Sequence, residues 1–331
     1  MEKIVVIGSN SFSGSDFIDH ALMDTNFRIH GVSRSPEKSS LFLPYKGNPN
    51  LHRFSFHQMD LNQNMSELKK FLLDVKPEYI INFAAQSEVG PSWEHPEQWF
   101  RTNAVAIAEL GNFLKSQNWL QRYVHISSPE VYGTCEGMVR EDAPLNPSTP
   151  YAASKAAGDL MLFTLVKNFD FPLVMIRSTN VYGAHQQLFK IIPRAVIFLK
   201  KGKTIELHGG GHAIKSYIHI RDISRGELLA MLNGKNGQIY HLSPSDSGIS
   251  IKNLVSMICD EMDKDFNSST KAVAERIGQD KAYIIDSQKA RQELGWNPRI
   301  QRDEGLRDVV RWVETNWDEI SRQPLEYKYK P

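Results

Sequence analysis

Tyr151 and Lys155 stand four residues apart in Tyr151-Ala152-Ala153-Ser154-Lys155, the spacing that puts two side chains on one face of a helix. An ammonium beside a phenol favours the phenolate, which lowers the tyrosine pKa and prepares a general base. Upstream, Ser127-Ser128-Pro129-Glu130 follows an apolar run. Ser128 is therefore expected at a strand end, where its hydroxyl can hold a substrate oxygen. A base, a cation and a hydroxyl of this kind suit hydride chemistry at a carbon that bears a hydroxyl. Tyr-x-x-x-Lys by itself is common on surface helices. Its weight here comes from the start of the chain.

There, Lys3–Gly8 (KIVVIG) runs into Gly8-Ser-Asn-Ser-Phe-Ser-Gly14. A Gly-rich turn between a first strand and a helix lets backbone amides approach a pyrophosphate at the positive end of that helix. Gly8, Ser11, Phe12 and Gly14 are the candidate contacts. Ser11 replaces the middle glycine of G-x-x-G-x-x-G, and its Cβ is expected to crowd the phosphates unless the loop shifts. After the second strand, Gly31-Val32-Ser33-Arg34-Ser35 carries no acid. A carboxylate there would take the ribose hydroxyls of NAD; the hydroxyl of Ser33 and the guanidinium of Arg34 suit the extra phosphate of NADP. Asp60 and Leu61 are expected at the adenine, and Phe83-Ala84-Ala85-Gln86 beneath the cofactor.

The elements that must position these groups alternate. Apolar runs at Arg28–Val32, Tyr79–Ala84, Arg122–Ile126 and Leu173–Ile176 read as strands. Helical patterns fall at Ser15–Met23, Met65–Leu73, Trp99–Ser116 and Ser154–Asn168. This rhythm predicts an α/β fold, a Rossmann-type doubly wound parallel sheet. After about residue 183 the elements shorten: a helix near Ile192–Leu199, then Thr204–Leu207, Ser216–Ile220 and Ile223–Leu232. The expected division is a mainly NAD(P)-binding domain over 1–182 and a smaller, mainly substrate-binding lobe over 183–331. Segments of the lobe return to the main sheet, and Pro324–Pro331 reads as a peripheral tail.

With 39 basic and 38 acidic residues in 331, the chain offers no global attraction for nucleic acid or anionic membrane. No apolar run approaches the roughly 20 residues that span a bilayer. Cys135 and Cys259, the only cysteines, suit free thiols of a reducing compartment, and a cytoplasmic protein is expected. His208, His212 and His219 have neither helical ligand spacing nor paired cysteines, so no metal site is predicted.

Taken in order, the Gly8–Gly14 loop, Asn82-Phe-Ala-Ala-Gln-Ser87, Thr102-Asn103, His125–Gly133, Tyr151–Lys155 and Arg177-Ser-Thr-Asn-Val-Tyr-Gly183 resemble the NDP-sugar branch of the extended short-chain dehydrogenase/reductases. Leu207–Asp222 and Arg276–Asp280 look like that family's sugar-nucleotide segments. Within it the chain is most similar to dTDP-glucose 4,6-dehydratases, with GDP-mannose 4,6-dehydratases next. The resemblance implies oxidation at sugar carbon 4 with Tyr151 as base, beside Lys155 and the Ser128 hydroxyl. Glu130 then removes the proton on carbon 5, water leaves from carbon 6, and the hydride returns to carbon 6. It also implies substrate contacts at Gln86, Asn180, Lys190, Lys215 and Arg276, and a homodimer through a four-helix bundle built from Trp99–Ser116 and Ser154–Asn168.

The chain departs from that pattern at Pro129, where dehydratases usually have an acid or hydroxyl that assists water loss. Proline has no proton to give. The role falls to Glu130 itself, to a water or to another side chain. The rival activities that share the first oxidation are an NDP-sugar 4-epimerase and a UDP-glucuronate decarboxylase. A rival of another class is an inactive NADP-binding regulatory protein, against which Ser128, Tyr151 and Lys155 all speak.

Overall fold

The computed structural model describes residues 1–134, 137–274 and 284–327. Cys135 and Arg276 lie outside them. Seven strands form one parallel sheet: β1 Lys3–Ile7, β2 Arg28–Ser33, β3 Phe54–Gln58, β4 Tyr79–Asn82, β5 Arg122–Ile126, β6 Leu173–Ser178 and β7 Gln238–Leu242. Their order is β7-β6-β5-β4-β1-β2-β3, with every pairing parallel. The chain reverses direction between β1 and β4, the switch point where ligands of such sheets bind. This is the doubly wound Rossmann-type sheet that the alternating runs predict.

Because side chains alternate along a strand, β1 feeds two cores. Ile4 and Val6 pack with Phe17 of helix α1 (Phe12–Asp24) and with Ile223. Val5 and Ile7 face Leu68 of α2 (Met65–Val75), Leu110 of α3 (Ala106–Leu114) and Leu162 of α4 (Pro150–Phe169). A third core joins α5 (Ile191–Lys200), Leu254 and Ile258 of α7 (Ile251–Glu261), and Val309 and Val313 of α8 (Arg302–Thr315). Helix α6 (Ile220–Asn233) lies between α5 and α7 in the chain but packs on the main sheet, followed by β7. Sequence beyond residue 183 thus contributes to both bodies. Among the described residues, no helix is long and apolar enough to cross a membrane.

Three boundaries differ from the sequence pattern in ways that matter for the site. Helix α4 starts at Pro150, ahead of the expected Ser154. Thr149 accepts the Ala152 amide at 3.1 Å as its N-cap, and Pro150 takes the first helical position, where its missing N–H costs nothing. The helix expected over Trp99–Ser116 is interrupted by a π turn at Arg101–Val105, a local irregularity that re-aims a side chain. Helix α6 begins at Ile220 because the His219 ring accepts the Arg221 amide at 3.3 Å. At the other end of the chain, Leu325 packs on the third core and the Tyr327 ring lies 5.4 Å from that of Phe189, so this part of the tail is docked.

Candidate active site

The turn after β1 closes on itself tightly. Gly8 has φ +89°, a conformation that favours glycine, and a Cβ there would stand 2.7 Å from the Ala84 amide. A Cβ on Gly14 would be driven into the Gly8 carbonyl oxygen. Ser11 answers the expectation of crowding. Its backbone is extended, φ −74°, and its hydroxyl turns back to accept the Gly14 amide at 3.0 Å as the N-cap of α1. Ser11 thus has a capping task at this position that a glycine could not perform. Among the described residues, buried Asn10 Oδ1 has no hydrogen-bond partner beside this turn. Close glycine approach, a helix N-terminus and an unpartnered buried amide oxygen fit a dinucleotide.

Around it, Ser33 accepts the Asn10 amide at 3.0 Å, which leaves its own hydroxyl proton to donate. Arg34 is exposed at the end of β2. The Asp60 carboxylate accepts the Asn62 amide at 2.7 Å and Leu61 is buried beside it. Ala84 donates to Asn82 Oδ1 at 3.0 Å, starting the strip that continues through Ala85 and Gln86.

The reactive groups meet where β5 ends. Ser128 caps the short helical turn Pro129–Tyr132 by accepting the Glu130 amide at 3.2 Å. Pro129, at the first position of that turn, has a structural task that an acid would not perform better. Tyr151 is buried on α4, hydrogen-bonded to Ser128. Burial first, then the charges of Glu130 and Glu88, push its phenol up; the Ser128 bond opposes them. The expected lowering by Lys155 is not what this geometry produces. The Lys155 ammonium instead donates to the Ile126 carbonyl at 2.8 Å and lies 3.3 Å from His125 Nε2.

Beneath Lys155 runs a buried polar chain. Asp159, one helical turn on, accepts Ser127 Oγ at 2.6 Å and Arg177 Nη2 at 2.7 Å, with His125 Nε2 3.6 Å from its other oxygen. Arg177 continues to the Tyr132 hydroxyl, which meets His241 at 2.8 Å. Burial pulls Lys155 down to about 8, against the attraction of Asp159 and with the help of Arg177. The unfolded chain holds that proton to about 10.5, so between the two values the unfolded state binds more protons and stability rises with pH. Below 8 the ammonium costs the fold roughly 3 kcal/mol. Lys155→Met is therefore expected to melt higher than the parent at pH 7, the gap narrowing as pH rises from 8 to 10.5. Melting curves across that range check it; a gap independent of pH would contradict it.

Asn103, on the π turn, is a residue whose role the sequence left unassigned. Its amide clamps Gln86 on both sides, accepting the Gln86 N–H and donating to its carbonyl, each at 2.9 Å, and reaches Ser154 Oγ at 3.0 Å. One side chain thus ties the strip after β4 to helix α4. Gln86, expected to touch substrate, is itself buried, and the cavity wall begins at the next residue, Ser87.

That cavity, of about 670 Å³, is bounded by Glu130, Asn180, Lys190 and Lys215 among others. Four expected residues therefore share one wall, and Arg276 lies outside the described chain. Lys190 stands at the N-cap position of α5 and lines the cavity, which puts an ammonium beside a helix N-terminus, an arrangement suited to phosphate. Its Nζ meets Glu88 Oε1 at 2.7 Å across the opening. Glu88 follows directly on the Asn82–Ser87 stretch and carries no periodic signal; only the fold brings it here. His208 stands on the cavity wall while His219 lines a different cleft. Among the described residues no group of histidines, cysteines and acids could hold a metal ion.

Compared with known proteins, residues 5–309 match the sequence model of the family described as GDP-mannose 4,6 dehydratase. The dTDP-glucose 4,6-dehydratase of Streptomyces niveus is 31% identical over 345 residues, covering 99% of this chain and 98% of the relative. That of Shigella flexneri is 28% identical, with 96% and 94% covered. Among solved structures, the dTDP-glucose 4,6-dehydratase of Streptomyces venezuelae, with NAD and TYD bound, is similar at a TM-score of 0.87 and 29% identity, over 96% of this chain and 98% of that one.

Proposed function

The chain belongs to the GDP-mannose 4,6 dehydratase family, and from that premise we propose that it converts dTDP-glucose to the 4-keto-6-deoxy sugar. It is a nicotinamide-dependent nucleotide-sugar 4,6-dehydratase, a lyase. The observation that carries the assignment of roles is the convergence of Ser128 and Glu130 on the Tyr151 hydroxyl, with Glu130 on the cavity wall.

Gly8, Ser11, Phe12, Gly14, Ser33, Arg34, Asp60, Leu61, Ala84 and Ala85 hold the cofactor in this reading, with Tyr151 and Lys155 at its reactive end. When bound, a nicotinamide would supply the hydride acceptor for sugar carbon 4 and the hydride donor for carbon 6. Tyr151 takes the proton of the carbon 4 hydroxyl while Ser128 holds that oxygen. The ketone acidifies the hydrogen on carbon 5, and the Glu130 carboxylate removes it. Lys190, Lys215 and Asn180, in the lobe drawn mainly from 183–331, hold the diphosphate and nucleotide, with Gln86 and Arg276 as the remaining expected contacts. Epimerisation at carbon 4 needs no base for carbon 5, which Glu130 supplies.

NADP is the preferred form of the cofactor. Arg34 offers a fork for a phosphate, and Ser33 retains a donor beside it. A homodimer is the proposed assembly. Val105 on the helical run 96–114 and Leu160 on α4 expose 60% and 58% of their surface, apolar area suited to a four-helix bundle. Sedimentation at twice the 37.7 kDa chain mass is the expected result, and a species of single mass contradicts it. The nicotinamide cofactor and the nucleotide sugar both suit the cytoplasm.

The test is incubation without added cofactor against dTDP-glucose, GDP-mannose, UDP-glucose and UDP-glucuronate, with products weighed by mass spectrometry. Loss of one water from dTDP-glucose is expected, and denatured protein should release NADP. Water lost only from another hexose reassigns the base. Unchanged masses, or loss of carbon dioxide, overturn the dehydratase reading.

A further inference from the structure

We propose that Glu88 is the acid that protonates the departing carbon 6 hydroxyl, released for that task when the substrate diphosphate captures Lys190. The inference rests on the dehydratase reading and concerns its least explained step. As the carbon 5–hydrogen bond breaks, its proton goes to the Glu130 carboxylate and its electron pair moves onto the carbon 4 carbonyl as an enolate. That pair forms the carbon 5–carbon 6 double bond as the carbon 6–oxygen bond breaks, and the departing oxygen, keeping the bonding pair, needs a proton to leave as water. Pro129 has none. A protonated Glu88 supplies it and becomes a carboxylate, so the step balances with one proton taken and one given.

Three observations carry this. Glu88 and Glu130 line the same cavity. Both charges act on the Tyr151 hydroxyl, so both carboxylates lie within electrostatic reach of the oxidation site, and they reach it from different elements. Glu88 comes from the strip after β4, which Asn103 clamps at Gln86; Glu130 comes from the turn after β5.

The third observation is the ion pair. Glu88 Oε1 is 2.7 Å from Lys190 Nζ, so the carboxylate is engaged as an acceptor as long as that contact lasts. Lys190 also occupies the N-cap position of α5, at the helix N-terminus that a diphosphate would occupy. Arg194 and Lys215 complete the cationic lining. A diphosphate binds these cations and brings negative charge of its own. Glu88 is left facing Glu130, Tyr151 and the substrate, where its protonated form is favoured because a cationic partner is lost and anionic neighbours are gained. The pair is thus a substrate-operated catch. It keeps Glu88 engaged until a nucleotide sugar is in place, and the proton enters from solvent through the open mouth, where the Glu88 side chain is 23% exposed.

The test uses full-length Glu88→Gln with dTDP-glucose and with its 6-deoxy-6-fluoro analogue. Fluoride leaves without a proton, so the acid is dispensable for the analogue. On dTDP-glucose a loss of about 10²–10³ in turnover is expected, the usual worth of a general acid. Reduced nicotinamide should build up, and carbon 5 should still exchange with deuterium oxide. On the analogue, turnover should fall less than about 10-fold. Glu88→Asp, which keeps the acid, should recover part of the activity and guards against loss through misfolding. Equal losses on the two substrates would make Glu88 a binding or packing residue, and near-native turnover of dTDP-glucose would remove it from the reaction; either outcome overturns the proposal. Wild-type protein that dehydrates neither sugar overturns the dehydratase reading itself, which separates the two failures.

Discussion

Tyr151→Phe is expected to lower turnover of the nucleotide sugar by about 10³, within the 10²–10⁴ that a positioned base contributes. Reduced nicotinamide should not accumulate at all. The variant removes one oxygen and leaves the backbone anchors of the residue in place: its amide to Ser92 Oγ at 3.3 Å and its carbonyl to Ser154 Oγ at 2.7 Å. Melting should change little, so lost activity reports on chemistry. Single-turnover absorbance of the reduced cofactor, with mass spectrometry of the sugar, checks it. A variant that still oxidises carbon 4 at a tenth of the native rate would move the base elsewhere, with Ser128 the next group in line.

Glu130→Gln should fail at a different point. Loss of the carbon 5 base is expected to cost about 10²–10⁴ in water release, yet oxidation at carbon 4 should continue, so reduced nicotinamide accumulates beside a 4-keto hexose that still has its carbon 6 oxygen. The pH profile carries a sign that a packing role would not move. After burial, the Glu130 charge is the next cause that holds the Tyr151 phenol up. A neutral glutamine removes it, the phenolate becomes easier to form, and the alkaline rise of the oxidation step should shift to lower pH. Stopped-flow traces over pH, with deuterium exchange at carbon 5, test both parts. Exchange at the native rate in this variant would exclude Glu130 as the base and leave Glu88 the nearer candidate. The two acids are thereby told apart: exchange stops without Glu130 and persists without Glu88.

What the chain order carries alone is extensive because the relevant physics is local. KIVVIG is a short, mostly apolar run, as expected of an interior strand, and the glycines that follow mark a backbone that must close tightly at Gly8 and Gly14. Tyr151 and Lys155 share a helix face by spacing alone. The start of that helix was equally readable in Thr149-Pro150, a capping residue followed by proline at the first position, though the apolar pattern that begins at Ser154 conceals it. The doubly wound parallel sheet follows from the repetition of strand and helix, since parallel neighbours require a long crossover between them; its edge strand Gln238–Leu242 was not among the runs read from the sequence.

Partners brought together by tertiary contact could not be read in this way. Ser11 looked like a defect in a glycine motif, and only the cap it makes with the Gly14 amide reveals why the loop accepts it. Spacing placed an ammonium beside the Tyr151 phenol. The buried surroundings instead commit Lys155 to the Ile126 carbonyl, and Tyr151 answers to Glu130 and Ser128. Charge and burial act through space, and the foremost charge on Tyr151, that of Glu130, comes from 21 residues away along the chain. Glu88 and Lys190, separated by 102 positions yet 2.7 Å apart, are the sharpest case. Residue type and spacing determined which chemistry this chain is built for; the fold decided which charges face one another, because a pKa is set by the nearest atoms and the nearest atoms are rarely the nearest in sequence.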